Sequence, residues 1–271
     1  MKFEKGIFVF TFIFTIFTFI ICFLYQGQAI LYIPYNIAFP VLAGLAVLSA
    51  FFCAYNHKMW RTNFGRVFTL LGLGLLCWFI AEVIWVIYAT AFQIEIPYPS
   101  IADIFWLLGY YPMAIGLVLH FKFHKVKTPK IRGAVEATVL LIMLAVVVLL
   151  AIIHVTIIIP VLNLDVDLIE KIVDIAYPIS DVFLVGFALG ISVLYRHGFL
   201  NKAWLMLLGG FIFSCIGDIL FSNFTLYNLY LTYLPDQPTS LPGSLPDLFF
   251  VLSYGAFAIG FLTHISFIKK T

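Results

Sequence analysis

A chain of 271 residues that is 63% hydrophobic and 10% charged lies far outside the soluble range of roughly 45–50% apolar and 25% charged. Its net charge of +2 leaves no electrostatic footprint for a nucleic-acid partner. What remains is a polytopic membrane protein whose first partner is the lipid bilayer.

A membrane span takes about 20 predominantly apolar residues. In chain order the apolar blocks predict spans at 7–25, 36–55, 67–91, 100–121, 134–159, 172–195, 203–224 and 245–268. The expected fold is therefore an all-α integral membrane protein with eight transmembrane helices. The first block follows "MKFEKG". It exceeds the usual h-region of about 7–15 residues and no small-x-small cleavage site follows, so it reads as a retained span.

Lys and Arg in short loops mark the cytoplasmic side. Lys2 and Lys5 precede span 1; Lys58, Arg61 and Arg66 follow span 2; Lys122, Lys125, Lys127, Lys130 and Arg132 follow span 4. Arg196 and Lys202 follow span 6, and Lys269 and Lys270 follow span 8, leaving only Lys171 on the other side. Both termini are thus expected in the cytoplasm of a multi-pass cell-membrane protein. The acids Glu95, Asp165, Asp167, Glu170 and Asp236 fall in the opposite loops. Cys22, Cys53, Cys77 and Cys215 all fall inside spans with no CxxC spacing, which supports neither a zinc site nor a disulfide framework. No metal and no cofactor is expected. Asn223-Phe-Thr225 has the form of a glycosylation sequon, a match too short to carry weight.

The chain repeats itself. "PYPSIADIFWLLGYYPMAIGLVLH" (97–120) and "LPGSLPDLFFVLSYGAFAIGFLTH" (241–264) share nine of 24 positions in register. "NIAFP" at 36–40 lies over "DIAYP" at 174–178, "YNHKMW" at 55–60 over "YRHGFL" at 195–200, and "GLLCWFIAEVIW" at 74–85 over "GFIFSCIGDILF" at 210–221. This self-similarity predicts a tandem duplication of a four-helix unit, with 1–133 as the first repeat, 134–271 as the second, and the two together forming one membrane domain. Spans 1 and 5 show no similarity. An even number of spans per unit makes the repeats parallel, and sites in such proteins tend to form between the halves.

The repeated polar residues supply the candidate site. Ser100 with Asp103, and Ser244 with Asp247, each open an apolar run in the manner of a capping box; the alternative is a site at the outer mouth of the bundle. Glu82 falls over Asp218 several residues inside spans 3 and 7, where a charge costs at least about 2.5–3.5 kcal/mol. Asp181 in span 6 lies at a similar depth. These three carboxyls are expected to gather between the halves as a ligand site, or else to be tied to tyrosines such as Tyr110 or Tyr254 and only join helices. His120 and His264 end spans 4 and 8 about 25 Å from the N-terminal acids, so no acid-histidine cluster is expected of them. His57 and His197 read as residues of the cytoplasmic loops, while His154, in span 5, is placed to approach the acids. The aromatic-rich segments "IWVIYATAFQIEIPYP" and "FSNFTLYNLYLTYLPDQP" flank the same outer mouth, as interfacial anchors or as a stacking surface.

Two resemblances are carried by these residues. "WFIAEVIW" followed by "PSIADIFWLLGYYPMAIGL" resembles the multi-span N-terminal sensory regions of bacterial diguanylate cyclases and membrane histidine kinases. It implies a sensory or ligand-binding module with a separate signalling partner on the cytoplasmic side. "FIFSCIGDILF" with "AIGFLTHISFI" is similar to the lysoplasmalogenase family, eight-span hydrolases of vinyl-ether lysolipids. It implies Glu82 and Asp218 as the catalytic acid and base.

The expected function is therefore a membrane module that binds or senses a lipid or small apolar ligand in a polar pocket in its outer half. The ligand-binding residues are Glu82, Asp218, Asp181, Asp103, Asp247, Tyr110 and Tyr254. The alternative is an intramembrane lipid hydrolase using paired carboxyls, and whether any chemistry occurs stays open. Transport is disfavoured because no broken helix is evident at the midplane.

Overall fold

The computed structural model describes residues 2–25, 29–93, 97–123, 129–153, 168–195, 200–226, 230 and 244–268. Among them stand eight α-helices: α1 Lys2–Tyr25, α2 Ala29–Asn56, α3 Asn63–Val86, α4 Ile101–Phe123, α5 Pro129–Ile153, α6 Leu168–Leu194, α7 Asn201–Leu226 and α8 Leu245–Ile268. Seven are long and apolar enough to cross a membrane: α1 to α4 and α6 to α8. The chain is an all-α, multi-pass membrane protein. The far end of expected span 5, from 154, lies outside the described residues, as do His154 and His197.

Helix boundaries follow local chemistry. Thr62 caps α3 by accepting the Gly65 N–H at 3.0 Å. At α4 the Ser100 N–H donates to Asp103 Oδ2 at 2.7 Å, and the Ala102 N–H donates to Ser100 Oγ at 3.1 Å. Ser100 and Asp103 thus satisfy first-turn donors together, as the capping pattern predicts. Past Val86, α3 continues as a π-helical turn over Ile87–Phe92 that ends at Gln93 in the left-handed region. Its Ala89 carbonyl accepts the Tyr32 hydroxyl.

Six helices close a ring. α2 packs on α3, α3 on α4, α4 on α6, α6 on α7, α7 on α8, and α8 back on α2. α1 lies outside against α2 and α8, and α5 lies outside against α6. Outward side chains such as Phe12, Leu48, Ile104, Leu141 and Ile172 are apolar and exposed, as a surface solvated by lipid chains requires. The interior is filled by Phe68, Trp204, Phe257, Phe261 and aliphatic residues of the ring.

Membrane helices gain little from the hydrophobic effect against one another and rely on close packing. α3 and α4 meet where a Cβ on Gly109 would stand 2.8 Å from the Gly74 carbonyl oxygen and 2.5 Å from the Trp78 ring. Only hydrogen fits there. At the corresponding crossing of α7 and α8, Ser253 Oγ donates to the Gly210 carbonyl at 2.9 Å. In the sequence overlay Gly74 lies over Gly210 and Gly109 over Ser253, so one crossing is closed by contact and the other by a hydrogen bond.

Candidate functional site: an acid- and aromatic-lined cavity

A helix that carries a carboxylate into the apolar layer must give it donors, because an unpaired buried polar group costs several kcal/mol. Tyrosine meets that need, since its ring is apolar bulk and its hydroxyl a single donor. Tyr254 on α8 donates to Glu82 Oε1 on α3 at 2.7 Å. On the other side, the Tyr110 hydroxyl of α4 lies 2.7 Å from Asp181 Oδ1 on α6 and 3.0 Å from Asp218 Oδ2 on α7. Tyr254 and Tyr110 therefore each join helices that are far apart in the chain.

The helix-start acids are held in the same way. Tyr177 on α6 donates to Asp103 Oδ1 at 2.8 Å. Asp247 on α8 accepts from Tyr35 on α2 through Oδ2 and from Tyr230 through Oδ1, the latter at 3.1 Å. Asp103 consequently serves two purposes. One oxygen caps α4 while the other joins α4 to α6, so the capping and site readings describe the same carboxylate.

Glu82, Asp103, Asp218 and Asp247 line an open cavity, together with Tyr35, Tyr110, Tyr177, Tyr230 and Tyr254. Trp78, Trp85, Trp106, Phe39, Phe221 and Phe250 supply apolar wall. Trp78 is the central post: its ring stands edge-on to Tyr110 at 5.4 Å and to Tyr254 at 6.4 Å, and its Nε1–H is fixed by the Trp106 carbonyl at 3.0 Å. The cavity lies toward the end of the ring where α3 and α7 finish and α4 and α8 begin, opposite the basic segments. Among the described residues that line it, none is Lys, Arg or His.

Six of the seven expected ligand residues line this cavity; Asp181 does not. It is packed behind Tyr110, 1% exposed, and its Oδ2 is buried without a donor. One hydroxyl proton on Tyr110 has two carboxyls to serve. Tyr110 thus joins Asp181 and Asp218 through its single hydroxyl.

Tyr35, Tyr177, Trp78 and Trp106 join the site without having been expected there. Tyr177 stands in the repeated "DIAYP", but its first-half counterpart is Phe39, so the repeat itself carries no hydroxyl signal. Outside the spans, Tyr98 donates to Asp174 Oδ1 at 2.6 Å; burial, and then the Asp174 charge, push its phenol well above the ordinary value and keep it a donor.

At the other end of the ring His57 lies in the turn after α2, as expected of a loop residue, yet it is half-buried, stacks on Phe64 and Phe68, and brings its Nε2 to 3.0 Å from Nε2 of His264. Burial lowers its pKa. His120 stacks on Trp204 with centroids 4.4 Å apart. These histidines are packing residues of the ring as well as helix-end residues.

No family model, no curated protein and no solved structure matches the chain. The fold defines its class, an all-α multi-pass membrane protein, and the cavity geometry is what bears on function.

Proposed function

We propose that this protein is a ligand-binding or sensory membrane module whose cavity takes a lipid or small apolar molecule bearing a cationic head. The observation that carries this reading is the lining itself: four carboxyls and an aromatic wall, with no basic residue among the described lining residues. An ammonium or guanidinium group offers donors to carboxylates and is attracted to aromatic faces. An anionic head meets four carboxyls there and no basic side chain among the described lining residues. The apolar body of such a ligand lies against Trp85, Phe221 and Phe250.

Around this site we read eight spans arranged as two parallel four-helix repeats, 1–133 and 134–271. The matched crossings at Gly74/Gly109 and Gly210/Ser253, and the exchanged tyrosine–acid pairs, support that reading. Both termini face the cytoplasm and the cavity opens outward, with a signalling partner engaged on the cytoplasmic side. Single-cysteine labelling of intact cells in a cysteine-free background is expected to leave position 127 protected and position 236 reactive. The reverse pattern inverts the topology. Both positions lie outside the described residues.

The second reading is hydrolysis, favoured by one observation: Glu82 and Asp218 face a common cavity, each held by a tyrosine. A hydrolase of this kind takes a proton from water with one carboxyl and gives one to the leaving group with the other, so loss of either lowers turnover by about 100-fold or more. Sensing needs only differential affinity for two helix arrangements. The expected result is that protein purified in mild detergent retains an unaltered amphiphile on extraction and mass spectrometry. Incubation with a lysoplasmalogen is expected to release no aldehyde above a blank. Aldehyde release that vanishes in both Glu82→Gln and Asp218→Asn replaces sensing with hydrolysis.

A further inference from the structure

At the end of the ring opposite the cavity, three donors of different chemistry converge. Cys53 lies in the last turn of α2 and His57 directly follows its last residue, with the His57 N–H donating to the Cys53 carbonyl at 3.2 Å, so the two side chains share a face. His264, from the last turns of α8, completes the group. One ligand atom from each residue lies within 4.8 Å of the others, and the two Nε2 atoms are 3.0 Å apart. Cys53 is fully buried, His264 is 1% exposed, and His57 is half-buried. Phe68 walls the group, stacking on His57 at 5.2 Å and standing edge-on to His264 at 4.6 Å.

As a purely structural contact this arrangement is poorly satisfied. Two imidazoles meeting nitrogen to nitrogen use one proton and one lone pair. His264 Nδ1 is left buried without a partner in either tautomer. A metal ion held by Nε2 of each imidazole and a thiolate uses a lone pair from each and turns the close approach of the two nitrogens into a coordination edge; His264 Nδ1–H gains no acceptor by it, so the facing nitrogens and the adjacent thiol are what point to a metal.

We propose that Cys53, His57 and His264 bind one thiophilic metal ion, and that the ion is Cu(I). One thiolate with two imidazoles is a donor set suited to copper or zinc. Charge separates the two. The thiol releases its proton on binding, so a monovalent ion gives a neutral centre and a divalent ion leaves one net positive charge. Beside an apolar wall at the edge of the membrane layer, burial favours the neutral centre.

The duplication limits the site to one copy. In the sequence overlay His57 lies over His197 and His264 over His120, but Cys53 lies over Val193. The corresponding set, His120 and His197 with Val193, thus has the histidines without the thiol, and one ion per chain is expected. The absence of a CxxC spacing argued against a metal because sequence spacing sees only ligands close along the chain; here the third ligand comes from a helix 207 residues away.

The test uses the full-length protein in detergent, stripped with chelator and titrated anaerobically with Cu(I) against a chromophoric Cu(I) chelator. One equivalent is expected to bind, and X-ray absorption of the loaded wild type is expected to show one sulfur scatterer at about 2.3 Å, as for other metal thiolates, together with nitrogen scatterers. Cys53→Ser is expected to elute as the wild type does and to lose the sulfur scatterer. His57→Gln, at the half-exposed helix end, is expected to weaken binding by about 100-fold, at least as much as losing a residue that only orients a ligand. Binding without a sulfur scatterer, binding unchanged in His57→Gln, or no stoichiometric binding each overturns the site. Zn(II) displacing Cu(I) at equal concentration overturns the choice of ion. The wild-type spectrum decides the matter even where a variant fails to fold.

Discussion

The double variant Glu82→Gln with Asp218→Asn is expected to bind a cationic amphiphile at least about 100-fold more weakly than the wild type. Hydrogen bonds to charged groups contribute about 1.5–3 kcal/mol each. Removing two is thus worth about 3–6 kcal/mol, and each 1.4 kcal/mol is a factor of ten. Both amides preserve side-chain shape and keep an oxygen to accept from Tyr254 and Tyr110, so the helices stay in place while the charge is lost. The measurement is calorimetric titration of protein in nanodiscs with dodecylammonium, whose head carries N–H donors, and with an uncharged alcohol of the same chain length. The wild type is expected to prefer the cation and the double variant to treat the two alike. Equal affinity of the wild type for both ligands sinks the cationic-head reading, because the apolar wall alone would then account for binding.

Tyr110→Phe is expected to destabilise the protein by about 2–3 kcal/mol, the upper part of the range for a hydrogen bond to a buried carboxyl. Its hydroxyl is the donor that Asp181 and Asp218 share, and Asp181 lies too deep for water to take over that role. Tyr111→Phe is the matched control. The neighbouring ring is 69% exposed, and the same deletion there is expected to stay within about 0.5 kcal/mol. Thermal unfolding in a single detergent reads both. Adding Asp181→Asn to Tyr110→Phe is expected to recover part of the loss, because an amide supplies its own donor to Asp218 while no longer demanding one. Equal stability of Tyr110→Phe and Tyr111→Phe would show that the buried acids need no tyrosine. It would also remove the physical reason for a tyrosine beside each deep acid.

The two experiments read different properties of one arrangement. In the first, carboxyls are neutralised while their tyrosines remain; in the second, a tyrosine donor is removed while the carboxyls remain. A protein in which acids and tyrosines merely staple helices loses stability in the second and shows no charge selectivity in the first. A ligand-binding cavity shows both effects.

The helices and the depth of the acids are legible in the amino-acid order alone, because a span is a run of about 20 apolar residues and a carboxyl inside it stands out against them. So are the corresponding positions, since Glu82 and Asp218, Tyr110 and Tyr254, and Asp103 and Asp247 recur in register. The partners are not; they come from how the helices pack. Packing pairs Tyr110 with Asp218 and Tyr254 with Glu82 across the halves, withdraws Asp181 from the cavity, recruits Tyr35 and Tyr177, and brings His264 onto His57. A soluble helix announces its inward face by a stripe of apolar residues against a polar one. A membrane helix is apolar toward lipid and toward its neighbours alike, so its rotation and its place in the ring leave little trace in the pattern. Those two quantities, set by close packing at contacts such as Gly74 against Gly109, fix which side chains meet.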